Sequence, residues 1–372
     1  MALAELGFST ERLDRAGAAL AAHVEKNDPP LPGAVLLVGR GDRWLPPRAF
    51  GSTSPEPGAA PLRPDAIFPL ASITKPVVHA AFLQLVETGA VGLNDLVARH
   101  WPEFAAAGKA GVRVIHLLTH TSGLPESAAG FARHRRSLAP LDAYLAELSA
   151  TPLDFLPGTD LQYSNLGTFA LAELLRRHDG LPTAESLRRR IFDPLGMATA
   201  ALGTAGLPPD RLVRVATAGQ GYDADCDWNS RYWRELGVPW GGLFAAAEDL
   251  AKLAGAMLTG RRGGSPILSA ATTRLFSSNV LETSRLPELA ERTRRRERWG
   301  LGWKLNAPAG AGGTMVDLLD DAVFGHQGVT GAVLWMDPRT EVFCVLLTSA
   351  GGVRAPWRLA GVSNLVAAAA LD

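Results

Sequence analysis

Strand-like segments lie near both ends of this chain, and the segment between them has mainly helical patterns. Near the amino terminus, residues 33–39 form an apolar run and residues 44–50 follow it after a turn. Near the carboxyl terminus, residues 331–336 and 342–348 flank Asp337-Pro-Arg-Thr340, which is a hairpin signal. This order predicts an α+β fold in which an antiparallel sheet, built from both chain ends and flanked by helices, carries an inserted, mainly helical lobe.

The chain has 372 residues, which exceeds one typical domain. We expect one bilobal catalytic unit, with an α/β lobe formed by residues 1–80 and 236–372 and a helical lobe formed by residues 81–235. A hydrophobic content of 47% and a charged content of 20% allow a sizeable core and exclude a disordered chain.

The charge balance indicates which partners the protein lacks. The 37 basic residues equal the 37 acidic ones, so we expect neither nucleic acid nor a membrane as a partner.

The start of the sequence shows no secretory signal pattern, and no apolar run reaches about 18 residues, so we expect a cytoplasmic protein. Cys226 and Cys344 form neither a disulfide framework nor a metal motif, and we expect no metal and no cofactor. The sequence leaves the oligomeric state undetermined.

The first candidate for chemistry is Ser72, which lies three residues before Lys75 at the start of an apolar helix predicted over residues 72–88. This spacing places both side chains on one helix face. Serine needs a neighbour that takes its proton, and a buried lysine can do so because burial lowers its pKa, whereas arginine stays protonated. Only five of the 37 basic residues are lysines, so a lysine here is notable. A chance Ser-x-x-Lys match is the alternative.

Two further motifs contain candidate residues. Tyr163 could lose its proton beside a cationic lysine and act as a general base, and Asn165 could hold the lysine or a substrate carbonyl. The alternative is an ordinary helix cap at Ser164 or Asn165 preceded by a packed tyrosine. In Phe324-Gly-His-Gln-Gly-Val-Thr-Gly331, glycines before a strand allow a substrate to approach the backbone closely, and an incidental glycine-rich turn is the alternative.

In this order, Ser72-x-x-Lys75, Tyr163-x-Asn165 and His326-x-Gly328 resemble the motifs of the serine β-lactamase and penicillin-binding-protein superfamily. Tyrosine in the second motif is similar to the class C enzymes, the family VIII carboxylesterases and the D-amino-acid-specific peptidases. The resemblance covers about residues 10–370 and implies a β-lactamase-like fold.

The resemblance also implies roles for the matched residues. Ser72 would form an acyl-enzyme, and Lys75 and Tyr163 would share the proton transfers. Asn165 would orient Lys75 or the substrate, and His326 and Gly328 would line an edge strand. The backbone N–H of Val329 would be the second donor of an oxyanion hole, beside that of Ser72.

One departure from the family pattern concerns His326-Gln-Gly328, which replaces Lys-Thr-Gly. A mostly neutral histidine is a weaker partner for a substrate carboxylate than a lysine is, although Arg354 could replace the lost cation. We therefore expect a carboxylesterase that acts on small-molecule esters of short or medium acyl chains, with amides as further substrates. A β-lactamase, a D-amino-acid-specific peptidase, an acyltransferase and a non-catalytic binding protein of the same fold remain alternatives.

Two other patterns are given structural interpretations. His116 and His120 have the spacing of a zinc helix, but Leu117 occupies the position of the expected glutamate, so a structural histidine pair is favoured. Trp240, Trp299 and Trp303 either line a substrate cleft or pack in the core.

Overall fold

The framework of the molecule is an antiparallel sheet formed by segments near the two ends of the chain. The computed structural model describes residues 6–217, 221–283, 285–306, 315–350 and 356–371. The strands of the main sheet are β1 (Gly33–Arg40), β2 (Arg43–Trp44), β3 (Arg48–Gly51), β7 (Lys304–Leu305), β8 (Phe324–Gly328), β9 (Ala332–Met336) and β10 (Val342–Thr348). A second, small sheet contains β4 (Phe68–Pro69), β5 (Ala201–Leu202) and β6 (Leu243–Ala245).

The helices flank the main sheet and fill the middle of the chain. They are α1 (Thr10–Lys26), α2 (Thr74–Glu87), α3 (Val97–His100), α4 (Val114–Leu118), α5 (Phe131–Arg136), α6 (Leu141–Ala150), α7 (Asn165–Asp179), α8 (Thr183–Leu187), α9 (Asp193–Leu195), α10 (Arg231–Leu236), α11 (Ala247–Gly263), α12 (Ala270–Phe276), α13 (Glu291–Arg296) and α14 (Pro356–Ala369). Short 3₁₀ turns lie at Ala71–Ile73, Pro102–Ala105, Lys109–Gly111 and Pro209–Arg211, and a π-helical turn lies at Arg188–Phe192. None of the described helices is long and apolar enough to cross a membrane.

The main sheet joins the two ends of the chain at its centre. The strand order is β2-β1-β10-β9-β8-β7, and β3 pairs with β1 beside β2. β1 and β10 are antiparallel over the full length of β10, from the pair Ala34 and Thr348 to the pair Arg40 and Val342. The predicted α+β fold, with a sheet built from both chain ends, is therefore confirmed.

Successive residues of the central strands pack into two different cores, because side chains alternate between the faces of a strand. Leu36 and Leu346 lie in the core that α1 and α14 cover, whereas Leu37 and Leu347 lie in the larger core that includes α2 and α11. The motif residue Ser72 lies in the 3₁₀ turn Ala71–Ile73 that directly precedes α2, so it is on the side of the larger core.

One strand prediction was imprecise for an identifiable reason. Residues 44–50 form two strands, β2 and β3, because Pro46 and Pro47 lack the N–H groups that a continuous ladder needs. Farther along the chain, Trp299 bridges Lys304 across a tight turn, and the strand β7 has only the residues Lys304–Leu305.

Candidate active site

Ser72 lies in the 3₁₀ turn Ala71–Ile73, between strand β4 and helix α2. Ala71 has a φ of +46°, a left-handed conformation that is strained for a residue with a side chain. Surrounding hydrogen bonds hold this conformation: Thr74 Oγ1 donates to the Ala71 carbonyl at 2.6 Å, and Thr330 Oγ1 donates to the Pro69 carbonyl at 2.7 Å. The turn presents Ser72 at the start of a helix, where backbone N–H groups lack intrahelical acceptors.

Lys75 is completely buried beside Ser72. Its Nζ lies 2.9 Å from Ser72 Oγ and donates to the Trp240 carbonyl at 2.9 Å. Burial lowers the pKa of Lys75 to about 7, and the charge of Glu126 opposes this shift in part. A substantial fraction of Lys75 is therefore the free amine at neutral pH, the form that can accept a proton from a serine hydroxyl.

Tyr163 lies against the same pair. Lys75 Nζ is 4.7 Å from the centroid of the Tyr163 ring. Burial raises the pKa of Tyr163, and the nearby Ser72 hydroxyl offsets only part of this effect. The phenol thus stays protonated at neutral pH, which differs from the expectation that a cationic lysine would remove its proton. A protonated phenol is suited to donating a proton.

The residues after Tyr163 cap a helix and also face the pocket. Ser164 is the N-cap of α7, and its Oγ accepts from the Gly167 N–H at 3.1 Å. Asn165 lines the pocket together with Ser72, and its Nδ2 donates to Ser127 Oγ at 3.2 Å. The hydrogen bonds of Lys75 run to Ser72 and Trp240 instead, so the position of Asn165 suits contact with a substrate better than orientation of Lys75.

His326 is buried on β8 and is neutral. Its Nδ1 lies 2.8 Å from the Gln327 carbonyl, which can only accept, so Nδ1 carries the proton and Nε2 is an acceptor. Nε2 is buried and has no hydrogen-bond partner among the described residues. Burial, and after it the charge of Lys75, lowers the pKa of His326 to about 3. The ring centroids of His326 and Tyr163 are 6.0 Å apart.

The end of β8 lies directly against the serine turn. A Cβ atom added to Gly328 would lie 2.3 Å from the Leu70 carbonyl oxygen, so this close approach requires glycine. Val329 follows with 40% of its surface exposed, and it lines the same pocket as Ser72. The structure therefore brings together all seven residues predicted from the three motifs: Ser72, Lys75, Tyr163, Asn165, His326, Gly328 and Val329. Arg354 lies outside the described residues.

The pocket in front of Ser72 has a volume of about 260 Å³ and an aromatic wall. Its aromatic residues are Phe131, Tyr144, Tyr222, Trp228, Trp233 and Trp240. Of the three tryptophans considered in the sequence, Trp240 lines the pocket and Trp303 is buried against Phe276 and Phe324. Trp299 packs against Tyr163, with ring centroids 5.9 Å apart.

Sequence reasoning missed several residues of the site, because they converge only in three dimensions. Glu126 and Arg135 line the pocket, and Trp240 contributes its carbonyl to Lys75. The pocket's aromatic residues between positions 222 and 233 belong to no sequence motif. Their density in that segment was the one signal in the sequence that could have indicated a binding wall.

The two histidines with zinc-like spacing are structural. His116 Nδ1 accepts from the Arg113 N–H, and His120 Nδ1 accepts from the Ser164 N–H, each at 3.2 Å. The described parts of the chain contain no cluster of His, Cys, Asp or Glu side chains that could hold a metal ion.

Comparison with known proteins places this geometry in a family. The Beta-lactamase family profile matches residues 19–365, which is most of the chain. The chain belongs to the beta-lactamase family. The resemblance drawn from the three motifs is confirmed, and this family member is a serine hydrolase.

Relatives of this beta-lactamase-family chain include esterases and penicillin-binding-protein homologues. Esterase EstB from Burkholderia gladioli is 31% identical over 325 residues, which cover 82% of this chain and 80% of the esterase. The structure of EstCE1, "a hydrolase with promiscuous acyltransferase activity", matches with a TM-score of 0.75 at 21% identity, covering 95% of this chain and 98% of the other. A penicillin-binding protein homologue from Caulobacter crescentus matches with a TM-score of 0.74 at 24% identity, covering 98% and 99%. The two structural matches confirm the fold.

Proposed function

We propose that the protein is a carboxylesterase that cleaves esters of short or medium acyl chains through an acyl-enzyme on Ser72. The observation that carries the proposal is the contact between Ser72 Oγ and Lys75 Nζ, at 2.9 Å, with the pKa of Lys75 lowered to about 7. A general base is most effective when its pKa is close to the working pH.

The protonation states of Lys75 and Tyr163 determine how acylation proceeds. As Ser72 Oγ bonds to the ester carbonyl carbon, the free amine of Lys75 takes the hydroxyl proton and becomes an ammonium ion. When the carbon–oxygen bond to the alcohol breaks, the protonated phenol of Tyr163 gives its proton to the departing oxygen. Lys75 then returns a proton to Tyr163, so the alcohol leaves neutral and both groups regain their initial states.

Deacylation uses the same groups in reverse. Water attacks the acyl carbon and gives one proton to Tyr163, while the phenol passes its own proton to the free amine of Lys75. The Lys75 ammonium then protonates Ser72 Oγ as the bond between the acyl carbon and Oγ breaks, which releases the carboxylic acid and restores the free amine. The negative oxygen of both tetrahedral intermediates would be held by the backbone N–H groups of Ser72 and Val329. Val329 lines the pocket and Ser72 lies in a helix-start turn, which supports this assignment.

Two observations favour esters over β-lactams and peptides with a terminal carboxylate. His326 is neutral at the position where the family pattern has a lysine, with a pKa of about 3. A neutral imidazole attracts an anionic group only weakly. In addition, the relative that is 31% identical is named an esterase.

The test is hydrolysis of p-nitrophenyl butyrate by the wild type, Ser72→Ala and a control, Ser363→Ala. Ser363 is buried on α14, on the far side of the sheet, and its hydroxyl has no hydrogen-bond partner among the described residues. We expect Ser72→Ala to lose turnover by at least about 1,000-fold and Ser363→Ala to keep wild-type turnover. Equal rates in Ser72→Ala and the wild type would overturn the assignment of Ser72, and turnover of penicillins without turnover of the ester would overturn the esterase proposal.

A further inference from the structure

Arg135 on α5 is a buried cation in the wall of the substrate pocket. Only 5% of its surface is exposed, and the pocket that Arg135 lines also contains Ser72. Its guanidinium carbon lies 3.9 Å from the ring centroid of Tyr222 and 3.7 Å from that of Trp233. Its Nε donates to the Cys226 carbonyl at 2.6 Å. The guanidinium is therefore held in place by two aromatic rings and one carbonyl group.

One end of this guanidinium lacks a partner. Arg135 Nη2 is buried and donates to no acceptor among the described residues. No carboxylate of the described chain forms an ion pair with Arg135, whereas Arg133 on the same helix is paired with Glu147. A buried cation without a counterion is unfavourable unless a ligand supplies the missing charge and acceptor.

We propose that Arg135 binds a carboxylate of the substrate, so that the preferred substrates are esters bearing a carboxylate on a short apolar linker. This inference rests on the proposed esterase function, because it assigns the substrate class of that same site. A planar guanidinium matches a carboxylate with two parallel hydrogen bonds, and Nη2 is already buried. The aromatic wall would hold the linker between the reacting carbonyl and Arg135.

The other charge in the pocket restricts where such a carboxylate can lie. Glu126 lines the pocket too, and it is an exposed residue. Its negative charge disfavours a substrate carboxylate close by, so the charged end of the substrate belongs at the aromatic side of the pocket with Arg135. This arrangement selects against substrates whose carboxylate is adjacent to the reacting carbonyl.

The test compares two p-nitrophenyl esters that differ at one carboxylate: the glutarate monoester with a free carboxylate and the same compound with that carboxylate methylated. We expect the wild type to prefer the free carboxylate by about 10-fold to 100-fold in kcat/KM. Arg135→Met should abolish this preference, so that within the variant the kcat/KM values of the two esters agree within about threefold. Arg136→Met is the matched control, because Arg136 is the exposed neighbour on α5, and it should keep the preference.

The readouts separate this inference from the proposed function. Loss of methylated-ester turnover in Ser72→Ala tests the proposed esterase function. The ratio of kcat/KM between the two esters tests the role of Arg135. A wild type without a preference, or a preference that survives in Arg135→Met, would overturn the role of Arg135. If neither ester is turned over, calorimetric binding of glutarate to wild type and Arg135→Met decides, since only an Arg135 site predicts binding that the variant loses. Arg135→Gln, which keeps an N–H donor for the Cys226 carbonyl, replaces the Met variant if the latter does not fold.

Discussion

Lys75 combines two properties that a general base needs. It is fully buried, which disfavours its charged form, and it lies within hydrogen-bond distance of the serine that must lose a proton. The surrounding histidines do not compete for that role at neutral pH. Burial lowers the pKa of His79 and of His326 to about 3, and burial also lowers the pKa of His120 well below its usual value.

The pKa of Lys75 predicts the pH dependence of the reaction. The active form is the free amine, so kcat/KM for an uncharged ester should fall about tenfold per pH unit below about 7 and level off above it. The measurement is a kcat/KM profile from about pH 5 to pH 9 with p-nitrophenyl butyrate. Lys75→Arg should be nearly as inactive as Lys75→Ala at every pH, because arginine keeps its proton. A flat profile, or an active arginine variant, contradicts Lys75 as the base.

Residues on one helical turn could be predicted from the sequence, and residues brought in from elsewhere could not. The spacing of Ser72 and Lys75 alone implies that they share a helix face. By contrast, Arg135 belongs to none of the three motifs, and only the fold shows that its side chain is buried in the pocket. The Trp240 carbonyl has no side-chain signature at all, since any residue can supply it.

At the scale of elements, the active site depends on how closely β8 approaches the turn before α2. β7 pairs only with Phe324 and Gly325 of β8, so the rest of that edge faces the serine turn and not a described strand. Gly328 permits the close contact with the Leu70 carbonyl, and the Thr330 hydroxyl donates a hydrogen bond to the Pro69 carbonyl. The hairpin of β9 and β10 was predictable from its turn residues, but the short partner β7 was not, because two residues give no reliable pattern.

Gly328→Ala should separate these two elements. The added methyl group would meet the Leu70 carbonyl at 2.3 Å, so the strand or the turn has to move and kcat should fall at least about tenfold. The control is Gly361→Ala on α14, where an added Cβ meets nothing within 4 Å. That change should leave kcat unaltered and raise the free energy of unfolding by about 0.5–1 kcal/mol. Wild-type kcat in a folded Gly328→Ala protein would show that the close approach is not needed.

At the scale of the whole molecule, the sheet separates a catalytic side from a supporting side. Leu346 and Leu347 are adjacent on β10 and both fully buried, yet they belong to different cores. The α+β class was predictable because the strand-like segments lie at both ends of the chain. Which residue of each strand faces which core could not be predicted, since the central strands are apolar on both faces.

The pair Leu346→Ala and Leu347→Ala should show this separation. Each substitution should lower the free energy of unfolding by about 2–5 kcal/mol, because each leaves a cavity in a packed core. Leu346→Ala opens its cavity on the side of α1 and α14, so kcat/KM per folded molecule should stay at the wild-type value. The checks are denaturant unfolding and kinetics on the same preparations. A large loss of kcat/KM in folded Leu346→Ala would mean that the two sides are coupled.

The pairing of β1 with β10 also determines when the enzyme can first work during its synthesis. A ribosome adds Ser72 early, but residues 328–330, which support its turn, come more than 250 positions later, and the central partner strand ends at Thr348. Contacts so distant in sequence form late. The nascent polypeptide therefore carries an inert serine until the segment up to Thr348 has been synthesised, and hydrolytic activity cannot begin before that point.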